Sequence, residues 1–140
     1  MTVCLDTNVL IQARASSHPY GVLLDAFVFG TINWAVSNRV LTEYREIIGT
    51  KAGPDAWATL AQLIDLIDIS GNLISISPHY QFHVIGSDPD DNAFTDCAIA
   101  AHADFVITED QHFGPLANAG YKPQPITPDE FIRRYTGVCL

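Results

Sequence analysis

Short apolar runs alternate along this chain with longer stretches of helical period. Val3-Cys4-Leu5 is unbroken apolar sequence and predicts a buried strand over residues 1–5. Thr7 or Asn8 caps a helix over 8–15 that opens on Val9-Leu10-Ile11. Ser16-Ser17-His18-Pro19 is a turn that starts a second helix, with Pro19 in its first turn and Gly30 as its stop. Residues 32–37 alternate as strand two, and Ser37 or Asn38 caps a helix over about 39–51. Gly53-Pro54-Asp55 breaks that helix and opens another, whose apolar residues are Trp57, Leu60, Leu63, Ile64 and Ile67. Residues 73–77 read as strand three, 78–90 as loop, 91–102 as helix and 105–108 as strand four. After an irregular stretch over 111–123, residues 124–126 form a short edge strand. Thr127-Pro128-Asp129-Glu130 then supplies an N-cap, a proline at the first helical position and acids in the first turn.

Strands alternating with helices predict an α/β sandwich around a mostly parallel sheet, with right-handed crossovers. No repeat or linker divides the chain, so residues 1–140 are read as one domain. Hydrophobic residues make up 48%, too many for a disordered chain. No apolar run reaches the ~18 residues of a membrane span and nothing at Met1 resembles a signal peptide, so the cytoplasm is the expected compartment. Cys4, Cys97 and Cys139 lack CxxC spacing, which disfavours disulfides and zinc knuckles; Cys4 and Cys97 read as core. The net charge of −9 argues against a nucleic-acid coat protein but not against a nuclease whose acids hold metal. Arg14, Arg39, Arg45 and Lys51 fall in the first 51 positions and allow a local basic rim.

Candidate chemistry enters at the strand ends. Asp6 follows strand one, and Glu109-Asp110 follow strand four. Ligands of open parallel sheets bind outside the carboxyl ends of strands, and paired carboxylates suit a hard cation such as Mg²⁺ or Mn²⁺. On the helix after strand two, Val40, Leu41, Tyr44, Ile47 and Ile48 form one apolar arc. Glu43 lies at its edge and Glu46 further round, so Glu43 is the better candidate. On the helix from 91, Phe94, Cys97, Ala98 and Ala101 form the stripe; Asp91 sits at its edge and Asp96 roughly opposite. Asp-Pro-Asp-Asp is also ordinary loop-to-helix composition, so turn and capping roles for Asp88, Asp90 and Asp91 stand beside a site role. The histidines form no compact ligand pattern, and there is no P-loop, GxSxG or GxGxxG.

Leu5-Asp6-Thr7-Asn8-Val9-Leu10, Glu43, Asp91 with Ala98 seven residues on, and Ile107-Thr108-Glu109-Asp110 together resemble the PIN-domain family, over nearly the whole chain. The chain is most similar to the stand-alone PIN proteins regarded as toxins of toxin–antitoxin systems, the VapC-like ribonucleases. Asp88-Pro89-Asp90-Asp91-Asn92 and Ala103-Asp104-Phe105-Val106-Ile107-Thr108 carry that finer likeness.

The resemblance implies a three-layer α/β/α sandwich with four to five strands and Mg²⁺- or Mn²⁺-dependent RNA cleavage. It implies an acid quartet of Asp6, Glu43, Asp91 and Asp110. Asp96-Cys97-Ala98-Ile99-Ala100-Ala101 copies the third-acid motif of many relatives, but the Asp91 register keeps the usual length to Asp110; Asp96 is retained as a fifth acid. Thr7, Asn8 and Thr108 are expected to orient ligands or water, and Arg14, Arg39 and Arg45 to contact RNA phosphates. A cognate antitoxin and a homodimer are the expected partners. A silent PIN-fold module that binds RNA or protein is the non-enzymatic alternative. A haloacid-dehalogenase-type phosphohydrolase is disfavoured, because it wants Asp where Asn8 stands.

Overall fold

The computed structural model describes residues 1–15, 17–77, 92–110 and 122–137. Its elements, in chain order, are β1 (Thr2–Leu5), α1 (Thr7–Ala13), α2 (Gly21–Val28), β2 (Asn33–Ser37), α3 (Asn38–Ala52), α4 (Pro54–Ile69), β3 (Leu73–Ile76), α5 (Asn92–Ala100), β4 (Phe105–Ile107), β5 (Gln124–Ile126) and α6 (Pro128–Tyr135). Local chemistry sets the boundaries. Ser37 Oγ accepts from Val40 N at 3.2 Å and caps α3, and Thr127 Oγ1 accepts from Glu130 N at 3.3 Å and caps α6. Gly53 turns α3 into α4 at φ +94°, a conformation that disfavours any residue with a Cβ, and Pro54 starts the next helix. The start of α1 differs from expectation. Asp6, not Thr7 or Asn8, holds the N-cap position, and its side chain makes no cap bond.

The sheet order is β3-β2-β1-β4-β5, and every neighbouring pair is parallel. The chain steps from β1 outward to β3, then resumes on the other side of β1 with β4. The direction of winding therefore reverses between β1 and β4, the place where open α/β sheets bind ligands. The register Val3↔Phe105, Cys4↔Val106, Leu5↔Ile107 ends both strands at the same level.

Helices cover both faces. Side chains alternate along a strand, so Cys4 and Phe105 point to opposite sides. The Cys4 thiol meets Cys97 of α5, while Phe105 packs on Phe131 and Tyr135 of α6 at centroid distances of 6.0 and 5.4 Å. Three layers follow, as expected. Rings from four elements run through the core: Phe27 stacks on Trp34 at 4.8 Å, Trp34 meets Tyr44 at 5.9 Å, and Tyr44 meets Phe94 at 5.9 Å. All four are fully buried, which ties α2, β2, α3 and α5 into one unit. Among the described residues, no helix is long and apolar enough to cross a membrane.

Candidate functional site

Asp6 leaves the end of β1 still in the ladder, its N–H donating to the Ile107 carbonyl at 3.0 Å. Thr108 leaves β4 in the same way, its N–H donating to the Ile126 carbonyl at 2.9 Å. Both side chains are therefore placed by sheet hydrogen bonds. Thr108 Oγ1 donates to Asp6 Oδ2 at 2.7 Å and accepts from the Asp110 backbone N–H at 2.9 Å. One hydroxyl thus fixes a carboxylate that is only 5% exposed and also turns the chain so that Asp110 follows it. The N-cap Asp of α1 accepts this bond and makes no side-chain bond to its own helix.

Asp6 and Asp110 line one cleft of about 400 Å³ with Asn8, Ile11, Gln12, Lys51 and Glu109. Gln12 Nε2 donates to Glu109 Oε1 at 2.9 Å and to the Asn8 carbonyl at 3.2 Å, closing one wall between α1 and the strand-four end. Tyr44 braces the backbone behind Asp6 from the core. Its hydroxyl donates to the carbonyl of Leu5, the residue before Asp6, from a fully buried position. Burial pushes the Tyr44 phenol well above its usual range, so this donor keeps its proton. Cys4, two residues before Asp6, is likewise held as a thiol by its hydrogen bond with Cys97 and by burial.

Glu43 sits beside Tyr44, half-buried, as its place at the edge of the apolar arc predicts; Glu46 is exposed. Glu43 lines a neighbouring groove of about 280 Å³ with Asn38, Arg39, Thr42, Glu46 and Ala93. Asp96 corrects the sequence reading. It does not project away from the core but is 2% exposed, with Oδ2 3.7 Å from Arg39 Nη1. The reason is that α5 packs against β1, β2, β4 and α3 together, so the six residues from Ala93 to Ala98 are all buried and the helix has no polar face along them. Asp91 lies outside the described residues.

Of the expected phosphate contacts, Arg39 stands in the Glu43 groove, whereas Arg14 lines a separate groove with Leu24, Leu60, Leu63 and Leu66. Arg45 is exposed on α3 and lines neither acid-bearing cleft. Sequence reading did not connect Lys51, Gln12 or Tyr44 to the site. Lys51 was visible only as one of few basic residues, because helix periodicity gives a residue's face and not what that face looks onto.

Among the described residues, no three His, Cys, Asp or Glu side chains come together as an ion-holding group. The donors present nevertheless fit a hard cation. Asp6 and Asp110 offer carboxylate oxygen at the switch point, and no soft ligand is among the described residues that line their cleft. The hydroxyl oxygens of Thr7 and Thr95, next in sequence to Asp6 and Asp96, are buried with no hydrogen-bond partner among the described residues. Such orphans cost about 1–3 kcal/mol each, which a polar ligand or water within reach would offset.

A family model of the PIN domain matches residues 2–112. Among solved structures, the chain is similar to VapBC2 from Rickettsia felis, crystallised with a DNA fragment from its promoter. The two share 18% identity, the match covers 91% of this chain and 98% of that one, and the TM-score is 0.56, a likeness of fold. No curated protein sequence matches.

Proposed function

This chain belongs to the PIN-domain family, whose members are generally nucleases, and from that membership we propose that it is a metal-dependent endoribonuclease acting as the toxin of a toxin–antitoxin pair. The observation that carries the reading is the Thr108 hydroxyl, which holds the Asp6 carboxylate and the Asp110 backbone N–H on one oxygen where the winding of the sheet reverses.

Asp6, Glu43, Asp91 and Asp110 are the residues that would hold one or two Mg²⁺ or Mn²⁺ ions, with Asp96 as a fifth acid. Held there, such an ion would supply acidification of a water for attack on phosphorus and positive charge beside the phosphate oxygens. The protein's share is positioning. Thr108 orients Asp6, Tyr44 fixes the backbone behind it, and Thr7 and Asn8 offer oxygens near the strand end. Asp96 holds Arg39 at the rim of the Glu43 groove, where its half-exposed guanidinium can meet a flanking phosphate.

The partners proposed are an RNA substrate, an antitoxin and a second copy of the chain. A net charge of −9 favours an antitoxin segment carrying Arg, which forks onto carboxylate oxygens near Asp6, Glu43 and Asp110. Leu66 and Ile69 on α4 stay exposed, as a self-associating apolar helix requires.

The test is cleavage of a panel of structured RNAs with and without Mn²⁺. Cleavage that needs Mn²⁺ and vanishes in Asp6→Asn is the expected result. Binding without cleavage at any metal concentration would return the chain to the silent-module reading.

A further inference from the structure

The cleft that holds Asp6 and Asp110 is strongly acidic, with Glu109 as a third carboxylate on its lining. A phosphodiester entering it meets like charge on several sides, and a cation is needed to draw it in. Lys51 is the one cationic side chain among the described lining residues. It stands in the last turn of α3, exposed, across the cleft from α1 and the strand ends. Of the carboxylates on the lining, Glu109 is held by Gln12 at 2.9 Å and Asp6 by Thr108 at 2.7 Å. Four other cations are engaged: Lys122 with Asp104 at 2.6 Å, Arg133 and Arg134 with Glu130, and Arg39 with Asp96; Arg14 and Arg45 are not among the residues that line the Asp6 cleft. Among the described residues, no carboxylate lies within ion-pair distance of Lys51.

We infer that Lys51 is the phosphate-anchoring residue of this cleft: its ammonium engages a phosphate of single-stranded RNA flanking the cleaved bond and holds the backbone against Asp6 and Asp110. This rests on the nuclease reading and adds a substrate contact to it. Lys51 and Arg39 stand in the two acid-bearing clefts, so the RNA backbone has a cation in each. A compact ammonium on a flexible stem suits a phosphate whose position shifts between sequences, so the contact favours strand binding over base selection.

An ordinary alternative exists for a lysine in this position, since a cation at a helix C-terminus complements the dipole. The two roles separate in one experiment. Lys51→Ala, Lys51→Arg and the charge-matched control Arg133→Ala are compared in RNA cleavage with Mn²⁺. Binding of a labelled single-stranded RNA is followed in parallel by anisotropy across a salt series.

Lys51→Ala is expected to raise KM and the RNA Kd roughly tenfold, the loss of one charge-assisted contact. Its salt slope should fall by about 0.7, the value for one phosphate on a single strand. The kcat should stay within about twofold, and Lys51→Arg should restore most of the binding. Arg133→Ala, which changes net charge equally, should leave KM and the salt slope in place. A Lys51→Ala protein with altered thermal midpoint but unchanged KM and slope would make Lys51 a helix-end residue and overturn the inference. Equal losses in Lys51→Ala and Arg133→Ala would also overturn it, because net charge alone would then account for binding. Wild type that binds RNA through Lys51 yet cleaves nothing would keep the contact and sink the nuclease reading. Wild type that binds no RNA would sink both.

Discussion

Replacing Thr108 with Val keeps the β-branched shape and removes one oxygen, so it isolates what that hydroxyl does. In the native protein the oxygen donates to Asp6 Oδ2 at 2.7 Å and accepts from Asp110 N at 2.9 Å. Asp6 is nearly buried, so water cannot readily replace the first bond. A hydrogen bond to a charged group contributes about 1.5–3 kcal/mol. The second bond reaches a part-buried N–H that water can serve, and adds a few tenths at most. The predicted loss for Thr108→Val is therefore about 2–3 kcal/mol. At about 3–5 °C per kcal/mol for a domain of this size, the thermal midpoint should fall by roughly 10 °C.

Urea titration gives the free energy directly, and Thr108→Ser, which keeps the oxygen, should recover most of it. The same titration in millimolar Mn²⁺ reads the site. A ligand that binds only the folded state raises stability, and this gain should shrink in Thr108→Val because Asp6 is no longer oriented. If Thr108→Val lies within about 0.5 kcal/mol of wild type and gains as much from Mn²⁺, the hydroxyl does not position the carboxylate and the reasoning fails.

Tyr44→Phe should cost about 1–3 kcal/mol, since it strands the Leu5 carbonyl in the core; an unchanged urea midpoint would contradict the bond drawn there. Asp104 is held below the usual carboxylate range first by the hydrogen bond from Lys122 and also by the Thr2 N–H. Its folded pKa is lowered, so its contribution is present above the unfolded value near 3.9 and fades as pH falls through the folded value. Asp104→Asn should then lose about 0.5–1 kcal/mol at neutral pH, discounted for the exposed Lys122, and match wild type near pH 2; a deficit that persists in acid would refute the charge account. Asp91→Asn should abolish RNA cleavage while Asp96→Asn leaves a measurable rate, and the reverse result in a single-turnover assay would reassign the third acid. Asp6→Asn should weaken the antitoxin complex and added salt should slow its association; stopped-flow rates insensitive to both would place inhibition away from the acids.

Much of this protein was legible in one dimension. The apolar runs at Val3, Phe105 and Leu73 and the helical period between them gave strands and helices close to those observed. Strand and helix periods are local properties of the backbone, so a linear sequence carries them. Ser37 and Thr127 were readable as caps for the same reason, since each bonds a partner three residues away. The half-buried setting of Glu43 followed from its place beside the apolar arc.

Three-dimensional packing decided the rest. Asp96 reads as projecting opposite the apolar stripe of its helix, yet contacts from three strands and α3 bury that side too. The bond from Thr108 to Asp6 spans 102 residues, and only the crossing from β3 to β4 beside β1 brings the two together. Lys51 reached the cleft because Gly53 turns the chain just beyond it and α3 lies against α1. Charge in a sequence has a sign but no neighbours; the winding of the sheet supplied the neighbours, and with them the site.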